Sequence, residues 1–170
     1  LQNIDFFPGN FSSRYGRKIG GIVEIETRDP QSDRIHGNVE TSVIDTSILI
    51  EGPIGPRFSI AGSFRRSLID LVLQGVLGNS NFNVVAAPVY YDYQLFATWR
   101  PNDRDRVRFR FYGSDDRFRA ILTAGASSDP SLRGGLGLSS HFDHFQVNWE
   151  RQIDSRLKVE TIALFGPSQF

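Results

Sequence analysis

The sequence predicts an all-β, antiparallel fold, and three observations carry that prediction. Several segments alternate apolar and polar residues at period 2 rather than 3.6. Aromatic residues make up 12% of the chain and 14 of them are Phe, an enrichment that favours strands over helices. No stretch approaches the roughly 20 consecutive apolar residues that a membrane-spanning helix needs.

Taken in order, residues 1–28 are punctuated by glycine: Phe7-Pro8-Gly9-Asn10-Phe11, then Tyr15-Gly16, then Gly20-Gly21 ahead of Ile22-Val23-Glu24-Ile25-Glu26-Thr27-Arg28, which reads as one strand. Residues 37–43 and 47–51 read as a short strand pair. In the next strand Phe58, Ile60, Gly62 and Phe64 alternate with Arg57, Ser59, Ala61, Ser63 and Arg65. The clearest strand puts Tyr91, Tyr93, Leu95, Ala97 and Trp99 on one face and Asp92, Gln94, Phe96 and Thr98 on the other. After the turn Pro101-Asn102-Asp103-Arg104-Asp105, Val107, Phe109 and Phe111 alternate with Arg108, Arg110 and Tyr112. Setting Trp99 opposite Val107 puts Ala97 against Phe109, Leu95 against Phe111 and Tyr93 over Gly113. A second hairpin repeats the pattern, with Phe145, Val147 and Trp149, a turn at Asp154-Ser155-Arg156, then Leu157, Val159, Ala163 and Phe165. The total is about seven strands after the opening segment. Residues 67–77, with apolar side chains at Leu68, Leu71, Val72 and Val76, fit a short helix at least as well as a strand.

The connections alternate in length. Residues 52–56, 102–106 and 154–156 are tight turns, whereas 73–88 and 115–140, rich in Gly, Ser, Asn and Asp, read as long loops. Short turns at one end and long loops at the other are the asymmetry of an up-and-down membrane barrel. Alternation by itself does not separate that barrel from a soluble sandwich. Trp99 and Trp149 at the turn ends of their strands, with Tyr91 and Tyr93 at the loop end, are placed as interfacial aromatic girdles would be. The face opposite the apolar one carries Arg57, Arg65, Asp92, Gln94, Arg108, Arg110, Gln146, Glu150 and Glu160, polar enough to line a wet lumen. Glu150 and Glu160 fall side by side there, and like charges need a cation between them, from Arg108, Arg110 or Arg28. Such residues suit docking of an internal segment, contact with substrate, or no more than solvated charge.

Composition excludes several functions. Lys plus Arg and Asp plus Glu are 19 each, so the net charge is zero and no nucleic-acid partner is expected. The chain has no Cys, which removes disulfides, thiolate metal sites and cysteine nucleophiles. It has no Met and begins Leu1-Gln2-Asn3, so a processed protein or a fragment is expected. The densest histidine cluster is His141-Phe142-Asp143-His144, but residues three apart on a strand point to opposite faces, so no metal site is expected. No spacing of Ser, His and Asp singles out a nucleophile, so no catalytic residue and no enzyme are expected. Neither Gly16-Arg17-Lys18-Ile19-Gly20-Gly21 nor Arg133-Gly134-Gly135-Leu136-Gly137-Leu138 has the features of a nucleotide loop, and the second reads as an external loop. No cofactor is expected.

The opening segment closely resembles the end of the plug domain of TonB-dependent outer-membrane receptors. The residues that carry the likeness are Pro8, Gly9, Phe11, Tyr15, Gly16, Gly20, Gly21, Thr27 and Arg28. The likeness continues with Glu51-Gly52-Pro53-Ile54-Gly55 as a first periplasmic turn, Arg65-Arg66-Ser67 with Asp70 as the end of the next strand, and Tyr91-Asp92-Tyr93 as the strand returning from the first long loop. It covers about two thirds of the chain. Gly16, Gly20 and Gly21 suit a plug that packs backbone to backbone against a barrel wall, where a Cβ would clash. The resemblance implies part of an antiparallel transmembrane β-barrel preceded by the C-terminal end of a plug domain, with residues 1–34 as plug end and linker and 35–170 as the N-terminal barrel strands. It also implies a bacterial outer-membrane importer of a scarce small molecule, such as a metal chelate, cobalamin or a saccharide. The implied partners are outer-membrane lipid and lipopolysaccharide, the remainder of plug and barrel, and the TonB energising complex. Two other readings stay open from the residues: a structural or adhesion outer-membrane barrel without energised import, and a soluble carbohydrate-binding β-sandwich.

Overall fold

A computed structural model describes residues 2–9, 12–16, 20–72, 84–122 and 134–169. They form two antiparallel sheets. The smaller is a hairpin of β1 (Asn3–Phe7) and β2 (Ile22–Glu26), with a 3-10 turn at Ser13–Tyr15 between them. The larger contains β3 (His36–Thr41), β4 (Asp45–Pro53), β5 (Phe58–Ser67), β6 (Val84–Trp99), β7 (Asp105–Leu122), β8 (Gly134–Gln152), β9 (Lys158–Phe165) and β10 (Ser168–Gln169). From β3 to β9 each strand pairs with the next in the chain, and β10 returns to β8 beyond the end of β9. The sheet is not closed, and β3 and β9 each present one unpaired edge among the described residues.

The seven consecutive strands β3–β9 are those the period-2 pattern predicts. The register of the β6–β7 hairpin also follows it residue by residue, with Trp99 against Val107, Ala97 against Phe109, Leu95 against Phe111 and Tyr93 against Gly113. A Cβ on Gly113 would lie 2.6 Å from the Tyr93 ring and from the Phe142 carbonyl oxygen, so only glycine lets the ring lie flat over the strand. Two of the tight turns use one device. Asn102 Oδ1 accepts from the N–H groups of Arg104 and Asp105, both at 2.9 Å, and Asp154 Oδ1 accepts from Arg156 and Leu157 at 2.8 and 2.9 Å.

The long loops are shorter than expected. Residues 84–88, 115–122 and 134–140 are strand, and the β7–β8 ladder runs unbroken from Asp105 opposite Arg151 to Leu122 opposite Gly134. Their Gly, Ser and Asp content disfavours strands locally, but the extensions of β6 and β8 each pair along one side with β7, and that pairing outweighs propensity. The run at 134–138 is therefore the start of β8 and not a loop. The helix expected over 67–77 is present as one turn at 69–72, where Leu68 O accepts from Leu71 and Val72, and residues 73–77 lie outside the described residues. Strand β1 was not expected, although Ile4 and Phe6 do alternate with Asn3 and Asp5.

Burial is inverted relative to a water-soluble sheet. Among the described residues Ala61 is the single buried hydrophobe, whereas Glu51, Ser59, Ser67, Thr98, Ser114 and Asn148 are buried. The apolar face, with Ile50, Phe64, Leu95, Trp99, Phe109, Phe145 and Trp149, is exposed along its length. No second layer of described residues packs on it.

Candidate functional site

The polar face is covered where the segment between β2 and β3 crosses it. Alternation puts Arg106, Arg108 and Arg110 of β7 on this face, beside Thr98 of β6 and Asn148 and Glu150 of β8. Asp29 reaches into this group. Its Oδ1 accepts from Arg108 Nε at 2.8 Å and from the Thr98 hydroxyl at 3.2 Å, and its Oδ2 from Arg100 Nη2 at 3.2 Å. Arg106 and Arg110 stand at 3.8 and 3.9 Å. Burial by itself raises the pKa of Asp29, but the charge and hydrogen bond of Arg108, with Arg106 and Thr98, outweigh it and hold the carboxyl below the ordinary carboxylate range.

Two further contacts fasten the same segment. Arg110 donates from Nε to the Thr27 hydroxyl at 2.6 Å and from Nη2 to the Thr27 carbonyl at 3.3 Å. Arg28 forks onto Glu51 of β4, at 2.7 Å to Oε2 and 2.5 Å to Oε1, and the Gln31 N–H adds a bond of 3.1 Å to the same carboxylate. Glu51 is 4% exposed, so this two-armed guanidinium is what allows a buried carboxylate there. The Glu51 bond in turn holds the Arg28 guanidinium above its ordinary pKa, against the opposing effect of burial. Thr27 and Asp29 are thus both held by β7, Asp29 also by Thr98 of β6, and Arg28 is held by β4.

The chain matches no family model, no curated protein and no solved structure.

Of the residues singled out on the polar face, the structure gathers Arg108, Arg110 and Glu150 at the crossing. Glu150 stands opposite Glu160, and its cations are Arg108 and Lys158, the latter at 3.2 Å. Arg110 and Arg28 do not supply that cation, because Thr27 and Glu51 engage them. Glu160 accepts instead from Asn148 at 2.8 Å. Arg65 and Asp92 form their own pair at 2.6 Å, away from the crossing. They join Gln94 around a cavity of 430 Å³ between the crossing segment and the polar face of β3–β6. Gln146 lies opposite Arg110 on β8. Arg57 sits in the β4–β5 turn and donates to the Pro101 carbonyl.

The glycine segment departs from expectation. Phe11 lies outside the described residues, and Pro8 and Gly9 directly follow β1. Gly16 and Gly20 meet nothing that a Cβ would strike closely, and Gly20 is needed for its φ of 93°. Gly21 is tight, but against β1 of its own hairpin: a Cβ would come within 3.1 Å of the Phe6 ring and 3.2 Å of the Phe7 carbonyl. Tyr15 packs on Phe7 at 5.9 Å and donates to Glu24 at 2.5 Å, contacts that build the hairpin. His141 and His144 do face opposite ways. His141 lies 3.2 Å from Asp143 on the apolar side, and His144 stacks on Tyr112 on the polar side.

Sequence reasoning missed Asp29, Glu51, Thr98, Arg100, Arg106 and Lys158 as members of the site. A signal was available. Arg106, Arg108 and Arg110 alternate on one face, and three cations beside Glu150 imply a further anion arriving from elsewhere in the chain.

Proposed function

We propose that the chain is the plug end and the first seven wall strands of a plugged outer-membrane β-barrel, a receptor of the TonB-dependent kind that imports a scarce small molecule. The observation that carries the reading is the inverted burial: an exposed apolar face on one side, and on the other a polar face fastened to an internal segment through Asp29, Arg28 and Thr27. In lipid, an apolar face needs no protein cover and a polar face must enclose something. Trp99 and Trp149 flank Val107 at one level of the sheet, with Tyr91 and Tyr93 toward the other end. The strand between these aromatic levels has about the 9–11 residues that a tilted spanning strand needs. The free edges of β3 and β9 are then closed by strands supplied by the rest of the barrel, since unpaired edges are costly in lipid.

The 170 residues hold no Cys, so a cysteine placed among them has no native one beside it in this part of the protein. Single cysteines placed at Leu95, Val147 and Gln94 in the whole protein are spin-labelled in the outer membrane, and their collisions with oxygen and with a water-soluble nickel complex are compared. Labels at 95 and 147 are expected to favour oxygen, and the label at 94 the nickel complex. Nickel access at 95 and 147 overturns the membrane reading. Energised import is tested separately by in-cell cross-linking of the protein to the TonB complex, and its absence leaves a barrel that is not such a receptor.

A further inference from the structure

The charges around Asp29 do not balance. Arg100, Arg106, Arg108 and Arg110 lie within 3.9 Å of its carboxylate, and Lys158 and Arg108 share Glu150. Five cations therefore face Asp29 and Glu150, and with Glu26 and Glu160 as the next carboxylates out an excess of one remains. Among the described residues Arg100 and Arg106 have no ion-pair partner other than Asp29, and Arg106 only reaches it at 3.8 Å. Both also line a second cavity, of 680 Å³, on the turn side of the same face. Its other cations are Arg57, Arg104 and Lys158, against Asp103, Asp105 and Glu150. Two of those three carboxylates are already engaged: Glu150 as above, and Asp105 by Asn102, Trp149 and Arg151. A cavity bordered by guanidinium groups with open donors is a place where an anion gains charge-assisted bonds. The chain supplies a precedent for such a ligand, because Asp29 is itself a carboxylate held at 2.8 to 3.2 Å by this array.

We infer that the turn-side cavity is a binding site for a small soluble phosphate or carboxylate anion, seated on Arg104 and Arg57 and competing with Asp29 for Arg100 and Arg106. The ligand thereby weakens the hold of the wall on the crossing segment. The inference rests on the fold and its charges and goes beyond the import reading. It stands whichever way the spin-label experiment falls, because the cavity belongs to the polar face and not to the lipid contact.

The test is calorimetric titration of the whole protein, in neutral detergent at low salt, with inorganic phosphate against chloride of matched ionic strength. Saturable phosphate binding is expected. Arg106→Ala and Arg104→Ala should each weaken it about tenfold, the loss of one bond to a charged group. Asp29→Asn should tighten it about threefold or more, since the internal competitor loses its charge. Opposite signs separate a site from damage to the fold, which would weaken binding in all three variants. No saturable binding, or weaker binding in Asp29→Asn, overturns the inference. A second arm uses short-chain phosphatidylglycerol below its micelle concentration. Binding no tighter than that of inorganic phosphate supports a soluble ligand, and binding more than tenfold tighter makes the cavity a lipid-headgroup contact and overturns the proposal as stated.

Discussion

Arg108 and Phe109 are neighbours in β7, yet the Arg108 side chain is 16% exposed and Phe109 is 42% exposed. The same reversal holds along β6 between Thr98 and Trp99 and along β8 between Asn148 and Trp149. In a water-soluble sheet the aromatic side would be covered, because covering apolar area is the main favourable term in folding. Here the arginine side is covered, by a crossing segment that brings one carboxylate, one guanidinium and one hydroxyl to it. The contrast teaches that two things organise this molecule: a strand ladder whose apolar face is left open by the described residues, and a charged seam that ties one segment to the sheet.

The largest expected effect breaks the apolar side. Phe109→Arg puts a cation in the middle of the exposed face, and on the proposed membrane reading this costs about 2–4 kcal/mol, the cost of a cation near a bilayer midplane. Folding titrations into phospholipid bilayers read the loss, and a variant that instead becomes more stable in detergent-free buffer would abolish the distinction between the faces. Next comes a closely packed place on the apolar side. Gly113→Ala drives a methyl into the Phe142 carbonyl and the Tyr93 ring, an overpacking worth about 1–3 kcal/mol, measured by the same titration.

On the polar side, Asp29→Ala leaves Arg100 and Arg106 without their partner. Because the Asp29 side chain is 21% exposed, water softens the loss to about 1–2 kcal/mol. Amide exchange over residues 27–31 should quicken about tenfold while the β6–β8 ladder stays protected. Equal loosening of ladder and segment would dissolve the comparison. The smallest effect is that of acid. A carboxyl whose pKa is lowered on folding stabilises the folded form above its unfolded value, about 4, and that contribution fades as the pH falls through the lowered one. Protection over 27–31, the exchange rate relative to that of the unfolded chain at the same pH, should therefore be unchanged between pH 5 and 8 in respect of Asp29, and should fall only below about pH 4. A loss of protection near neutrality would mean that a different group holds the segment.

Much of the wall was legible because its rules are local. Period 2 assigns each residue of β6 and β7 to a face, and a tight turn opened by Asn102 leaves one register that keeps Trp99, Ala97 and Leu95 with Val107, Phe109 and Phe111. The loop-side extensions were not legible, because Ser139, Ser140 and Gly137 look like loop until Arg117, Asp116 and Arg119 are seen to pair with them. Gly16 and Gly20 misled in another way: glycine spacing signals a turn or a close approach equally, and only the backbone angle and the neighbours tell which.

What the sequence determined by itself is the order, register and two-sidedness of the strands, since alternation and turn chemistry act between residues close along the chain. What only the tertiary structure decided is which side is covered and by what. Asp29 and Arg108 are separated by 79 positions, and no local pattern marks one aspartate among many as the anion that an arginine row awaits. That choice is made by the path of the chain after β2, which carries Thr27, Arg28 and Asp29 across a face whose charges are already set.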